Sequence, residues 1–335
     1  MKTRIAINGF GRIGRNTFRI LMDRFSETLE VAAINDLTDA ATLAHLLRHD
    51  SLYGPFPGTV ESNGENLVVN GLTIPVLKER DPANLPWAAM GIQLVLESTG
   101  RFTKREQAQA HLAAGARTVL ISAPPPGAAL TVVLGVNGDR LDPASQPILS
   151  NASCTTNCLA PVAEVIRTRF GIRRGMMTTV HAYTNDQNIL DLPHSDLRRA
   201  RAAGLSIIPA KTGAAKAIGL VIPELDGKLD GYAYRVPTPV VSILDLTVET
   251  NMPVTKQQVH EAFRDAAENG MRGILALSDE PLVSVDYRGN AHSAIIDTLS
   301  TTVVDGTLLK VAAWYDNEWG FSNRCAELLA QIADA

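Results

Sequence analysis

The chain has 335 residues, of which 45% are hydrophobic and 20% charged, and a formal net charge of −4, a balance that fits a globular protein large enough for two domains with separate cores. Without a net basic field, nucleic acid is not expected as the main partner, and no apolar run approaches the roughly 20 residues needed to span a bilayer. Met1 to Gly9 is taken up by a first strand and its glycine turn, so no signal peptide is expected and cytoplasmic residence is the default. The three cysteines, Cys154, Cys158 and Cys325, form no disulfide framework and suit a reducing compartment.

Arg4 to Asn8 reads as a short apolar strand, followed at once by Gly9-Phe10-Gly11-Arg12-Ile13-Gly14 and a helical segment from Arg15 to Phe25. This is Gly-x-Gly-x-x-Gly in the strand-turn-helix setting that binds a dinucleotide. The first glycine allows the turn, the second lets a pyrophosphate approach the backbone, and the third lets helix and strand pack closely. A second strand, Leu29 to Ile34, leads to Asp36, 22 residues after Gly14, where a carboxylate accepts hydrogen bonds from an adenosine ribose and repels a 2′-phosphate. NAD is therefore favoured over NADP.

A helix is expected over Ala40 to Leu47 and hairpin strands between Tyr53 and Gly71. Strands follow at Ile92 to Leu96 and Thr118 to Ile121, separated by a helix from Lys104 to Ala114. Small and polar residues end both strands, as Glu97-Ser98-Thr99-Gly100 and Ser122-Ala123-Pro124, which suits a cofactor crossing the carboxyl edge of a parallel sheet. Pro124 to Gly127 can continue neither element.

Ser150 to Cys158 reads Ser-Asn-Ala-Ser-Cys-Thr-Thr-Asn-Cys and lies just ahead of a helical run, Leu159 to Phe170. The unpaired N–H groups at a helix start favour a thiolate, so a low thiol pKa and a nucleophilic role are expected for Cys154. The strand Met176 to Val180 delivers His181, 27 residues further on, as the group to take that proton and return it to a substrate oxygen. The spacing of Cys154 and Cys158 also admits a metal reading, but no nearby Cys or His completes a tetrahedral set. Cys158 and Cys325 read as buried apolar packing.

In the second half, strands are expected at Tyr232 to Val236, Val241 to Glu249 and Thr307 to Trp314, with a helix over Thr255 to Asn269 and another over Asn323 to Ile332. Ala182 to Ser206 has no sustained period and reads as a long ordered loop, usually a functional feature. The expected fold is an α/β Rossmann-type NAD-binding domain over residues 1–150 plus an α+β catalytic domain with a mainly antiparallel sheet over 151–315. The C-terminal helix, about 316–335, is expected to return to the first domain.

With these motifs the chain resembles the phosphorylating glyceraldehyde-3-phosphate dehydrogenases over nearly its whole length. The resemblance is carried by Ile7 to Arg15, Ser150 to Cys158, His181 to Asp186, Thr212 to Lys216, Arg235 to Pro239 and Trp314 to Glu318. It implies a homotetramer that converts glyceraldehyde 3-phosphate, NAD and inorganic phosphate to 1,3-bisphosphoglycerate through a Cys154 hemithioacetal and thioester, with His181 as acid and base. It also implies Thr184, Asp186 and Arg235 around the substrate phosphate, and Ser153, Thr155, Arg199, Thr212 and Gly213 around the inorganic phosphate, with Arg235 open to either. For the cofactor it implies Arg12 and Ile13 by backbone beside Gly9, Gly11 and Gly14, then Asp36, Arg80, Thr99 and Ser122, with Asn317 near the nicotinamide amide.

Leu192-Pro193 also resembles the NAD-preferring members. His292 to Ile295 and Asn317 to Phe321 are similar to erythrose-4-phosphate dehydrogenases, which release a free acid, so that activity is the alternative. Thr212-Gly213 and Asp191 to Pro193 speak for the phosphorylating class. Lys211 adds a positive charge where many relatives are neutral, pointing either to phosphate or to solvent. An RNA-binding role on the same scaffold leaves Cys154 and His181 unexplained, and a cysteine hydrolase leaves the glycine motif and Asp36 unexplained.

Overall fold

Long apolar runs bounded by glycine turns build a parallel sheet first. A computed structural model describes residues 2–125, 127 and 129–335, so Pro126 of the expected proline-rich loop lies outside the described residues. The chain divides into two units, one holding the residues up to Val132, Asp139–Ala152 and Ser322–Ala335, the other holding Val133–Gly138 and Ser153–Phe321.

The first unit contains β1 (Thr3–Asn8), β2 (Leu29–Asn35), β3 (Val60–Asn63), β4 (Asn66–Val69), β5 (Leu72–Leu77), β6 (Leu94–Glu97), β7 (Thr118–Ile121), β8 (Leu130–Thr131) and β9 (Ile148–Ser150), with helices α1 (Arg12–Arg24), α2 (Ala40–Arg48) and α3 (Arg105–Ala113). The sheet order is β3-β4-β5-β2-β1-β6-β7-β9-β8. All pairings from β5 to β8 are parallel, and only β3-β4 and β4-β5 are antiparallel. Ile5, Ala6 and Ile7 of β1 are fully buried, the continuous apolar pattern of a strand covered on both faces. The strand order reverses direction between β1 and β6, and a ligand crevice opens at such a point, outside the carboxyl ends of the strands.

Helix α1 starts at Arg12, three residues before the expected Arg15, so Gly14 sits in its first turn. Local propensity reads all three glycines as a turn, but close packing lets the helix begin early enough to include Gly14, with Gly11 as its N-cap. Gly9 holds a φ of +92°, and a Cβ there would lie 2.6 Å from the Thr99 nitrogen. A Cβ on Gly14 would meet the Gly9 carbonyl oxygen at 2.2 Å, whereas one on Gly11 would meet nothing within 4 Å.

The second unit contains β10 (Arg174–Ala182), β11 (Ile208–Ala210), β12 (Leu229–Val236), β13 (Ser242–Glu249), β14 (Leu275–Ser278), β15 (Ala294–Val304) and β16 (Leu308–Tyr315), with α4 (Cys154–Phe170), α5 (Ala214–Val221) and α6 (Lys256–Glu268). Its order is β11-β12-β10-β13-β16-β15-β14; only β12-β10 and β15-β14 pair in parallel. The mainly antiparallel sheet is thus as expected. Leu244, Leu246 and Val248 of β13 are buried while the residues between them are half-exposed, the alternation of a sheet covered on one face. The covering comes from α4 and α6, which pack on strands of this sheet.

Elements β11, β14, β15 and α5 were not expected from the sequence. The pairing of β15 with β16 shifts register between Asp297 and Thr302, which breaks the two-residue period that would mark a long strand. Residues 183–202 contain no strand or helix. The final helix, α7 (Trp319–Asp334), enters the first unit at Ser322, where Arg24 bonds Asn323 at 2.6 Å and Glu327 at 3.1 Å. Among the described residues no helix is long and apolar enough to cross a membrane.

Gly14→Ala forces one backbone segment against another, so it is expected to lower stability by about 1–3 kcal/mol. Gly11→Ala fills open space and should stay within about 0.5 kcal/mol of the parent. Urea denaturation of both variants checks the contrast; equal midpoints would remove the packing role given to Gly14.

Candidate active site

Cys154 is the first residue of α4, not a residue ahead of it. Ser153 caps the helix, its Oγ accepting the Thr156 N–H at 3.0 Å. Ala152, just before the cap, holds a left-handed φ of 55°, a conformation that non-glycine residues keep mainly at functional positions. The amides of the first helical turn have no intrahelical acceptor, so they face the thiol as partial positive charge.

His181 lies in β10 and is 3% exposed. Its Nε2 is 3.5 Å from Cys154 Sγ, and its Nδ1 is 2.7 Å from the Ala182 carbonyl oxygen. Two groups meet Nδ1 with opposite demands: the carbonyl only accepts, and Arg235 Nη1, 2.9 Å away, only donates. The shorter contact to the carbonyl favours a proton on Nδ1, which leaves the Nε2 lone pair toward the thiol. Parallel pairing of β10 with β12 sets Arg235 opposite His181. Arg235 Nη1 donates to the Ala182 carbonyl and to Thr184 Oγ1, both at 3.0 Å.

Burial pushes the Cys154 thiol up from its ordinary value; the positive charge of Arg235 and hydrogen bonds involving Thr155 act the other way without reversing the direction. This corrects the expectation of a low thiol pKa, because desolvation outweighs the favourable field. His181 is pushed down to about 3, first by burial and then by Arg235. Both shifts run toward the neutral forms of thiol and imidazole.

Sequence reasoning missed the groups behind this pair. Tyr315 Oη bonds Thr155 Oγ1 at 2.9 Å and Thr179 Oγ1 at 2.7 Å, and its ring meets His181 edge-on at 6.0 Å between centroids. Burial raises the Tyr315 phenol, keeping it protonated. Ser242 Oγ accepts the Ala182 N–H at 3.1 Å and donates to Asn317 Oδ1 at 3.0 Å. Tyr315 and Asn317 share one sequence motif, but only strand pairing reveals what they touch.

Thr184 bonds Asp186, and Asp186 pairs with Arg199. Arg199 also approaches Asp196 at 3.5 Å. Burial and then the charge of Arg235 lower Arg199 from its ordinary value. Two guanidinium groups close enough to disfavour each other make a site that an anion relieves. Thr212 Oγ1 accepts the Ala214 N–H at 3.2 Å, and Gly213 caps α5. Ser153 and Thr155 are engaged as the helix cap and the Tyr315 partner. The Lys211 side chain is exposed, and its carbonyl lies 3.5 Å from Arg199 Nη2. Among the described residues no group of three or more His, Cys, Asp or Glu is placed to hold a metal ion.

In the first unit a cleft of about 350 Å³ is lined by residues including Gly9, Gly11, Asp36, Arg80 and Thr99. Asp36 accepts the Phe10 N–H at 2.8 Å and the Thr38 N–H at 2.9 Å, one on each oxygen, which leaves a lone pair on each for ribose hydroxyls. With the open space over Gly11, this donor and acceptor set fits a dinucleotide. Gly14 and Ser122 are not among the residues that line this cleft; Ser122 Oγ donates to the Glu97 carbonyl at 3.1 Å. Ile13 follows in the first turn of α1, and Arg12 pairs with Asp50 and stacks on Tyr53.

The depressed His181 has a sign-defined effect on stability. Its unfolded value is 6.5 and its folded value about 3, so between these the unfolded chain binds a proton that the native state refuses, and stability falls as pH drops through that window. His181→Asn should lose less melting temperature between neutral and acidic buffer than the parent, and an identical acid loss would contradict the buried neutral imidazole.

Residues 3–105 match the family model for the glyceraldehyde 3-phosphate dehydrogenase NAD binding domain, and residues 153–317 match the one for the C-terminal domain of the same enzymes. The chain is 59% identical over 333 residues to glyceraldehyde-3-phosphate dehydrogenase of Geobacillus stearothermophilus and 58% identical over 333 residues to glyceraldehyde-3-phosphate dehydrogenase 1 of Bacillus subtilis (strain 168), with 99% of each chain covered in both comparisons. It is 53% identical over 335 residues to the Streptomyces coelicolor enzyme of that name, covering 100% of this chain and 99% of the other. The Rossmann fold, the NAD cofactor and the resemblance read from the sequence are thereby borne out, and the chain belongs to the glyceraldehyde-3-phosphate dehydrogenase family.

Proposed function

We propose that the chain oxidises D-glyceraldehyde 3-phosphate with NAD and inorganic phosphate to 1,3-bisphosphoglycerate. The observation that carries this reading is the Cys154 Sγ to His181 Nε2 approach at 3.5 Å, with the Nδ1 edge of the imidazole held by the Ala182 carbonyl and Arg235 on the other side. As sulfur attacks the aldehyde carbon, the thiol proton passes by way of His181 Nε2 to the former carbonyl oxygen, giving a hemithioacetal. His181 next removes the hydroxyl proton while the carbon–hydrogen bond is lost, leaving a thioester on Cys154. NAD, when bound, accepts the hydride. A phosphate oxygen then attacks the thioester carbonyl, the carbon–sulfur bond breaks, and His181 returns its proton to the departing thiolate.

Thr184, Asp186 and Arg235 suit the substrate phosphate, while Arg199 with Thr212 and Gly213 at the head of α5 suits the attacking one; Ser153 and Thr155 support that second site as cap and Tyr315 partner. Asn317, oriented by Ser242, is assigned to the nicotinamide amide. Arg12, Ile13, Gly9, Gly11, Gly14, Asp36, Arg80, Thr99 and Ser122 serve the dinucleotide. Retention of a second anion site favours the phosphorylating reaction over erythrose-4-phosphate oxidation, which needs water instead. Ile189, Leu190, Leu192, Leu197 and Leu205 are each at least 64% exposed, an apolar set that assembly with further copies of the chain would cover, in keeping with a homotetramer. Cytoplasmic residence completes the reading.

NADH formation from glyceraldehyde 3-phosphate should require inorganic phosphate in multiple-turnover assays. Equal rates without phosphate, or faster phosphate-independent oxidation of erythrose 4-phosphate, would move the chain to the alternative. Cys154→Ser should keep NAD binding and lose about a thousandfold or more in turnover; substantial residual activity would end the nucleophile assignment. Asp36→Ala should raise NADP use relative to NAD, and an unchanged ratio would take Asp36 out of the ribose site.

A further inference from the structure

The crevice between β1 and β6 is bridged by buried side chains that neither the glycine motif nor the catalytic chemistry accounts for. Asn8 ends β1 and Glu97 ends β6, and the two residues are register partners. Asn8 is 1% exposed, Glu97 2%, and behind them His111 of α3 and Trp87 are both 0% exposed. A carboxylate is rarely buried this deeply unless all its oxygens are satisfied.

Glu97 receives four donors. Asn8 Nδ2 donates to Oε2 at 2.5 Å and His111 Nε2 to the same oxygen at 3.0 Å. The Thr99 N–H donates to Oε1 at 2.9 Å, and Thr99 Oγ1 donates to Oε1 as well. The directions follow from end groups that cannot exchange roles, and the 3.4 Å approach of Asn8 Nδ2 to His111 Nε2 is then a contact of two donors that share Glu97 Oε2. The Trp87 indole N–H donates to His111 Nδ1 at 3.1 Å, so Nδ1 must accept and the imidazole proton lies on Nε2, aimed at Glu97. At the other end, the Glu79 N–H donates to Asn35 Oδ1 at 2.9 Å and Asn35 Nδ2 donates to the Glu79 carbonyl at 2.9 Å. Asn35 Nδ2 also donates to Asn8 Oδ1 at 2.7 Å, turning the Asn8 amide nitrogen toward Glu97.

Glu97 in turn holds Thr99, whose backbone lies so close to the glycine turn that a Cβ on Gly9 would touch its nitrogen. Asn8, Gly9, Asn35, Glu79 and Thr99 all line the cleft. We propose that His111, oriented by Trp87, is a positioning residue for NAD: through Glu97 it fixes Thr99 and Asn8 at the rim of the dinucleotide cleft without touching the cofactor. The inference rests on NAD occupying this cleft.

The test measures KM and calorimetric Kd for NAD in the parent enzyme, His111→Leu and His111→Gln, together with kcat at saturating NAD, KM for glyceraldehyde 3-phosphate and melting temperature. Losing the donor to Glu97 in His111→Leu should raise both NAD constants about tenfold, with kcat within about twofold and the triose KM unmoved. His111→Gln, whose amide can still donate to Glu97, should recover most of the affinity. A lowered melting temperature with NAD constants equal to the parent's would make His111 purely structural and overturn the proposal. Should His111→Leu fail to fold, Glu97→Gln serves instead: its amide meets four donors with one oxygen fewer, so NAD must bind more weakly, and unchanged binding overturns the proposal equally. A parent enzyme that binds no NAD would refute the cofactor reading itself, an outcome distinct from variants that match a binding parent.

Discussion

The carbonyl of Ala182 can only accept a hydrogen bond, and it lies 2.7 Å from His181 Nδ1; the placement of the imidazole beside Cys154 depends on that contact. With Arg235 Nη1 at 2.9 Å from the same nitrogen, it holds the Nδ1 edge of the ring and leaves Nε2 facing Cys154. Strand β10 supplies both residues, so the geometry is as rigid as the sheet that holds it. Arg235, paired across β12, adds a second donor to the same carbonyl. Turning the imidazole would cost two hydrogen bonds and leave a buried N–H without a partner, a penalty of about 1–3 kcal/mol.

Desolvation opposes charge on both groups. The first-turn amides of α4 and the guanidinium of Arg235 favour a thiolate, yet burial raises the Cys154 thiol and lowers His181. Burial thus works against both ions, the thiolate and the imidazolium, while the helix start and Arg235 work for the thiolate. Such an arrangement favours differential stabilisation of the reacting state over the resting one. Tyr315, held protonated by burial and bonded to Thr155 and Thr179, closes the back of the site with a hydroxyl that carries no charge of its own.

How far the sequence could be read follows from the range of the interactions involved. The glycine motif, Asp36 and the continuous apolar strands are local signals, and the parallel sheet and dinucleotide cleft were legible from them. Cys154 and His181 were legible as chemistry, but their geometry was not: the capping of α4 at Ser153 and the extension of β10 through Ala182 are set by tertiary packing. Strand β15 escaped notice because its register shift interrupts the two-residue period, and α5 because eight residues give too few turns for a period to show. The thiol pKa was misjudged because a helix start is visible in sequence whereas burial is not. His111, Trp87 and Ser242 gave no signal at all, since each acts through a partner distant in the chain.

Both units solve the same problem of placing polar groups in a dry interior, and they solve it by direction. In one, a backbone carbonyl orients a histidine; in the other, an indole orients His111 toward Glu97, and the backbone of Glu79 orients Asn35, which turns Asn8 toward the same carboxylate. A tryptophan N–H cannot accept and a carbonyl cannot donate, so each chain of hydrogen bonds has a fixed sense from its anchor inward. Exchanges that preserve size, such as Asp for Asn at position 8 or 35 or Gln for Glu at position 97, are therefore not conservative here. Each would set donor against donor or acceptor against acceptor inside a core with no solvent to absorb the mismatch, and the error would pass along the chain to the residues lining the cleft.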